Sequence, residues 1–207
     1  MLELFLYSAT AFFVVLDPVG TAAIFAAMTH AFAAPRKRRT ALRAVGLAAT
    51  ILALFALLGE ALLAGLGISL AALRLAGGAL LFLLAADMVF ARPSGLRSMT
   101  ADEDAEASHR HDLSVFPLAF PLIAGPGAMT TSVLLMTRAG PDALRIGLVL
   151  GVMAAMLAIT LILLLQAERI ARLLGVTGCN VISRVLGIIL AALAAQFMLD
   201  GLKVALS

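Results

Sequence analysis

Two short breaks inside membrane-length apolar stretches constrain this chain more than any other feature: Asp17-Pro18-Val19-Gly20-Thr21 and Gly125-Pro126-Gly127-Ala128. A helix crossing lipid cannot leave backbone amides unpaired. Proline removes a donor and clashes with the preceding turn, and glycine lowers helix propensity further. A mid-span break is therefore costly unless the freed backbone faces a cavity or a ligand. Pro18 and Pro126 stand 108 residues apart, at matching places in the two halves of the chain. Paired interrupted helices in corresponding halves point to the binding site of a transporter.

Composition supports a membrane reading. Apolar residues are 63% of the chain and charged residues 13%, with mean hydropathy +1.10, whereas a soluble domain is nearer half apolar and a quarter charged. The pI of 9.8 does not indicate nucleic acid, because the positive charge sits between apolar spans. The first apolar stretch is too long for a signal peptide and lacks a basic flank before it. The single cysteine, Cys179, excludes an internal disulfide and reads as a small apolar filler. No metal or other cofactor is expected.

Six spans emerge, each near the ~20 residues needed to cross the hydrocarbon core. They run from about Leu4 to Phe32, Ala41 to Leu66, Ile68 to Phe90, Val115 to Met136, Ile146 to Gln166 and Ile182 to Leu202. The expected fold is all-α: one polytopic transmembrane domain over 1–207, with repeat one at 1–90, a polar loop at 91–114 and repeat two at 115–207. The loop, with Asp102-Glu103-Asp104 and His109-Arg110-His111, reads as a wetted connector. Eleven Lys and Arg residues, including Arg36-Lys37-Arg38-Arg39 and Arg169, Arg172 and Arg184, fall on one face; Arg74, Arg138, Arg145 and Lys203 fall on the other. That bias places the first face in the cytoplasm and both termini outside. Three spans per half require the halves to be inverted. Weak echoes agree: Pro18 and Met28 with Pro126 and Met136, Arg74 and Gly77 with Arg184 and Gly187. Spans one and four are the broken ones.

The breaks have a chemistry. Asp17 stands where an N-cap belongs and Pro18 where the first helical residue belongs, and Gly125 and Pro126 take the same roles. Each break thus starts a half-helix whose first N–H groups lack partners and carry partial positive charge, which suits a carboxylate. Gly20 and Gly127 allow close approach; Thr21, Thr130 and Thr131 add hydroxyls; Ala128 completes the second turn. Asp17 is the ionisable group near the centre, suited to an ammonium group or a coupling proton. Gln196 is either an interhelical hydrogen-bonding group or a polar lining. Arg184 with Asp87, and Arg74 with Asp200 or Glu60, are expected as structural pairs latching the halves. Gly147, Gly151, Ala154 and Ala158 form a small-residue stripe expected to pack inside the bundle, although a homo-oligomer stays open. An enzyme is not expected: there is no Ser–His pair within the spans, and Asp17 and Asp87 do not read as a dyad.

The stretches Asp17-Pro-Val-Gly, Phe116-Pro-Leu-Ala-Phe-Pro-Leu-Ile-Ala-Gly-Pro-Gly-Ala128 and Asn180-Val-Ile-Ser-Arg-Val-Leu-Gly187, with Gln196 and Gly201 beyond, resemble the MarC family of six-helix bacterial membrane proteins. The resemblance covers essentially the whole chain. It implies a place among small neutral amino acid transporters, related to lysine-exporter-type proteins, in the bacterial inner membrane. The substrate it implies is a zwitterion such as glycine, alanine or serine, moved with a proton. The family usually has Asn after Asp-Pro-x-Gly, where this chain has Thr21. The competing readings are a membrane protein with an assembly or structural role and no transport activity, and an exporter of another small solute. The residues do not choose between uptake and export, or between proton and sodium.

Overall fold

The computed structural model describes residues 1–90 and 113–206; most of the expected polar loop lies outside the described residues. Among them the chain is all helical. Helix α1 (Leu2–Leu16) and helix α2 (Pro18–Met28) meet at the single residue Asp17. Helix α3 (Ala34–Gly65) and helix α4 (Leu70–Phe90) complete the first half. The second half holds an irregular wide-turn segment, α5 (Ser114–Ile123), then α6 (Pro126–Ala139), α7 (Ala143–Leu165) and α8 (Ala167–Leu206). Five stretches are long and apolar enough to cross a membrane, and α5 with α6, bent by 54°, makes a sixth. The chain is a polytopic membrane protein.

Three boundaries differ from the sequence reading. Helix α3 begins at Ala34, because Pro35 at its start needs no amide partner and the basic run continues the helix. The half-span before Gly125 is not a regular helix. Phe116 and Phe120 each precede a proline and are extended, at φ −128°, ψ 130° and φ −135°, ψ 130°, since a following proline disfavours the helical region. Helix α8 extends back to Ala167 but is interrupted at Gly175 (φ 63°, ψ 179°), so its membrane-length part is Thr177–Leu206. A left-handed φ of this kind is cheap only for glycine.

The span formed by α1 and α2 is an inner one, 61% buried along its most apolar stretch against 22–33% for α3, α4, α7 and α8, and α6 is inner too, with Gly127, Ala128 and Thr130 to Leu135 buried. Helix α1 packs on α7 and α5 packs on α3; α2 lies against α7 and α8, as α6 lies against α3 and α4. Each half therefore embraces the broken span of the other. The most extensive packing is α4 along α8, an antiparallel seam set by glycines. A Cβ on Gly78 would come within 2.9 Å of the Ala194 carbonyl, on Gly187 within 3.1 Å of the Ala85 carbonyl, and on Gly201 within 3.0 Å of the Ala71 carbonyl. Small residues let backbones approach closely where lipid provides no hydrophobic drive between helices.

The charge latch expected from sequence is corrected among the described residues. The ion pairs joining described residues are Lys37–Glu168, Arg138–Glu3 at 3.3 Å and Arg145–Asp142 at 3.6 Å, and neither Arg184–Asp87 nor Arg74 with Asp200 or Glu60 is among them. Asp200 instead accepts a hydrogen bond from Gln196 Nε2 at 2.8 Å, while Arg184 and Glu60 are exposed. The small-residue stripe is corrected as well. Gly147, Gly151, Ala154 and Ala158 all face outward, because Val149, Val152, Met153, Leu157 and Leu164 fill the inner side of α7.

Candidate functional site

The first break is built around one buried carboxylate. Asp17 is 1% exposed and has left-handed backbone (φ 41°, ψ 66°). Asp adopts this conformation more readily than most residues because its side chain bonds locally. Here Oδ1 accepts the Gly20 N–H at 3.1 Å, which is the cap expected from sequence. Pro18 follows as the first residue of α2 and lacks the amide that would otherwise be orphaned. Two main-chain bonds keep the chain helical on either side: Asp17 N–H to the Phe13 carbonyl at 3.1 Å and Thr21 N–H to the Asp17 carbonyl at 2.9 Å. The Thr21 hydroxyl donates to the Leu16 carbonyl at 3.0 Å, so it repairs the break rather than standing ready for a ligand.

The second oxygen of Asp17 has a partner that the sequence reading did not assign. Ser183 Oγ, on α8, donates to Asp17 Oδ2 at 3.4 Å. Ser183 lies 166 residues away in sequence, and a lone serine in an apolar span signals nothing by itself. Gly20 owes its identity to this arrangement. A Cβ there would stand 2.2 Å from Asp17 Oδ2 and 2.9 Å from Ser183 Oγ. Its open side is therefore occupied by the carboxylate itself, not left for a ligand as the sequence suggested.

The second break places Gly125 as an extended N-cap (φ −72°, ψ 170°) before Pro126, as expected. Gly125 must be glycine because a Cβ would lie 2.4 Å from the Pro121 carbonyl. Gly127 and Ala128 are buried, and the side of Gly127 where a Cβ would project is filled by Leu81, at 2.6 Å. A small cavity of about 20 Å³, room for one water, is lined by Val15 from α1, Leu84 from α4, and Gly125 to Ala128. It brings the end of α1 beside the start of α6. Thr130 (8% exposed) lines a separate apolar cavity of about 190 Å³ between α3, α4 and α6. Thr131 is fully buried and its hydroxyl has no hydrogen-bond partner among the described residues, an arrangement that costs about 1–3 kcal/mol. Ser8 on α1, which packs against α6, shares that condition. Gln196 is exposed and bonded within its own helix to Asp200. It is neither an interhelical link nor a lining.

These residues run through the whole length of a described family. A model of "MarC family integral membrane protein" matches residues 2–206. The chain belongs to the MarC family. It is 36% identical over 204 residues to a UPF0056 membrane protein of Archaeoglobus fulgidus, covering 97% of this chain and 93% of that one. It is 34% identical to the UPF0056 membrane protein YvbG of Bacillus subtilis (92% and 90% covered), and 33% identical to YhcE of Escherichia coli (92% and 88%). No solved structure matches. For this MarC-family chain, both breaks and the glycine seam lie inside the matched region, so the buried carboxylate belongs to the domain as a whole and not to an appendage.

Proposed function

We propose that the chain is a secondary transporter of small neutral amino acids of the glycine, alanine and serine class, coupled to protons. In this reading it is built as two inverted three-helix repeats, lies in the bacterial inner membrane, and has both termini outside. The observation that carries the reading is the pair of helix starts within membrane-length segments, one in each half. One is closed by a buried carboxylate and the other opens onto a cavity. The reciprocal packing of α1 on α7 and α5 on α3 supports the inverted repeat, since related units should make related contacts. The bias of Lys and Arg supports the orientation.

Chemically, α6 offers its first N–H groups and the unpartnered Thr131 hydroxyl to a carboxylate, and Asp17 offers charge to an ammonium group or a proton. The cavity at the second break holds about one water, too little for an amino acid. Binding therefore requires the seam between the broken spans to open, as alternating access demands. The test is uptake of labelled glycine, alanine and serine by purified protein in liposomes, with and without an imposed pH gradient. Accumulation driven by the gradient and lost in Asp17→Asn supports the reading. No flux of any of the three solutes overturns it and favours an assembly role without transport, or another small solute.

A further inference from the structure

A cavity of about 610 Å³ lies between α2 and the start of α8, within the 300–1,000 Å³ range of small-molecule sites. Two facing stripes make it. On α2, Gly20, Ala23 and Ala27 follow at i, i+3 and i+7, one face of a helix, with His30 just beyond. On α8, Ser183 and Cys179 stand one turn apart, and Gly175 and Arg172 continue toward the basic face. At Gly20 and Ser183 the stripes touch: a Cβ on Gly20 would meet Ser183 Oγ at 2.9 Å. From there they diverge. Ala23 and Ala27 line one wall, Cys179 and Arg172 the other, and His30 and Glu168 the mouth. Gly175 (φ 63°), itself part of the lining, marks the kink between Ala167–Leu174 and the membrane-length part of α8. The lining thus reaches Ala23 and Cys179, about one turn short of Gly20 and Ser183, and its other end, where Glu168 meets Lys37, is on the face carrying Arg36–Arg39.

We propose that this cavity is a water-filled entrance leading from the basic face to Asp17, through which a small zwitterionic solute and its proton reach the carboxylate. The proposal rests on the transport reading for what passes through, but not for the entrance itself. The polar mouth, with His30, Glu168 and Arg172, favours water over lipid. The Ala-rich wall limits side-chain size without binding it. Cys179, the chain's one cysteine, is part of the lining, 4% exposed and about 6 Å of helix rise from Ser183, and reports on the inner end of the cavity.

The test is modification by a charged, membrane-impermeant methanethiosulfonate in membrane vesicles of both orientations. Cys179 in the native chain is the first reporter, and Ala23→Cys in a Cys179→Ala background is the second. Arg38→Cys marks the basic face and Ile188→Cys, 62% exposed on the outer surface of α8, marks lipid. We expect Cys179 and Ala23→Cys to react from the same side as Arg38→Cys, at least 10-fold faster than Ile188→Cys. Saturating glycine or alanine should slow both at least 5-fold. Reaction no faster than Ile188→Cys means that lipid or packed protein fills the cavity and overturns the proposal, as does reaction from the opposite side only. Fast reaction without protection by either solute upholds the entrance and instead counts against the amino-acid reading.

Discussion

Replacing Gly20 by alanine tests the site by setting two effects of opposite sign against each other. In an open helix interior, glycine to alanine stabilises by about 0.5–1 kcal/mol through the unfolded chain and helix propensity. At Gly20 the new Cβ would stand 2.2 Å from Asp17 Oδ2, 2.8 Å from its Cγ and 2.9 Å from Ser183 Oγ. Real Cβ atoms do not approach so closely, so the carboxylate must leave. It then loses the Gly20 N–H, a cap worth about 1 kcal/mol, and the Ser183 hydroxyl, while Asp17 is only 1% exposed. Breaking the contacts of a buried charge costs about 3–5 kcal/mol. Against a gain of about 1 kcal/mol, the net is a loss of roughly 2–4 kcal/mol. For a domain of this size that lowers the melting midpoint by about 5–15 °C. Gly46 and Gly151 have nothing within 4 Å of an added Cβ, and alanine there should raise the midpoint by about 1–4 °C. The assay is thermal unfolding of the three variants in one detergent. If Gly20→Ala melts with the two controls, Asp17 does not lie over Gly20, and the account of the first break is wrong.

Four further outcomes are expected. Asp17→Asn keeps a capping side chain and should fold, yet fail to concentrate glycine or alanine in liposomes under a pH gradient; normal accumulation would make Asp17 a cap alone. Thr131→Val removes an unpartnered hydroxyl from the core and should melt no lower than the parent, while weakening solute binding about 2–10-fold, one net hydrogen bond; a stability loss without a binding change would refute a ligand role. Gly187→Val places a Cβ against Met88 and the Ala85 carbonyl and should destabilise by about 3 kcal/mol, the upper range for overpacking, measured by the same melt. The last outcome concerns acid. Hydrogen bonding to Lys37, then its charge, holds the Glu168 carboxyl below its ordinary range. A depressed folded pKa means the contact is present above the unfolded value and lost as pH falls through the folded one. Acidification through the folded value should therefore weaken the Lys37–Glu168 contact, and Glu168→Gln should remove it at neutral pH and speed Cys179 modification there; a rate equal to the parent's would show that this pair does not hold the mouth.

How far the chain explains itself differs element by element. Its apolar spans and their number follow from composition and length, because lipid leaves an unpaired backbone no partner but the helix. Both helix starts were legible for the same reason: Asp17-Pro18 and Gly125-Pro126 carry a cap and a donor-free first residue, and those effects act within four residues. What the local sequence could not supply is whatever depends on which atoms face one another. Ser183 is one hydroxyl among many until α8 is laid against α2. The stripe from Gly147 to Ala158 satisfies close packing and lipid equally, and only the larger Val149, Met153 and Leu157 on the other side of α7 decided that it faces out. Arg74, Asp87, Arg184 and Asp200 suggested a charge latch by their positions along the spans. The folded chain closes the α4–α8 seam with Gly78, Gly187 and Gly201, where a Cβ would come within about 3 Å of a facing carbonyl, and none of the expected pairs is among the ion pairs that join described residues. Periodicity and capping are properties of a segment, and sequence determines them. Which glycine faces which carbonyl, and which hydroxyl reaches a carboxylate 166 residues away, is a property of the packed bundle, and only tertiary structure decides it.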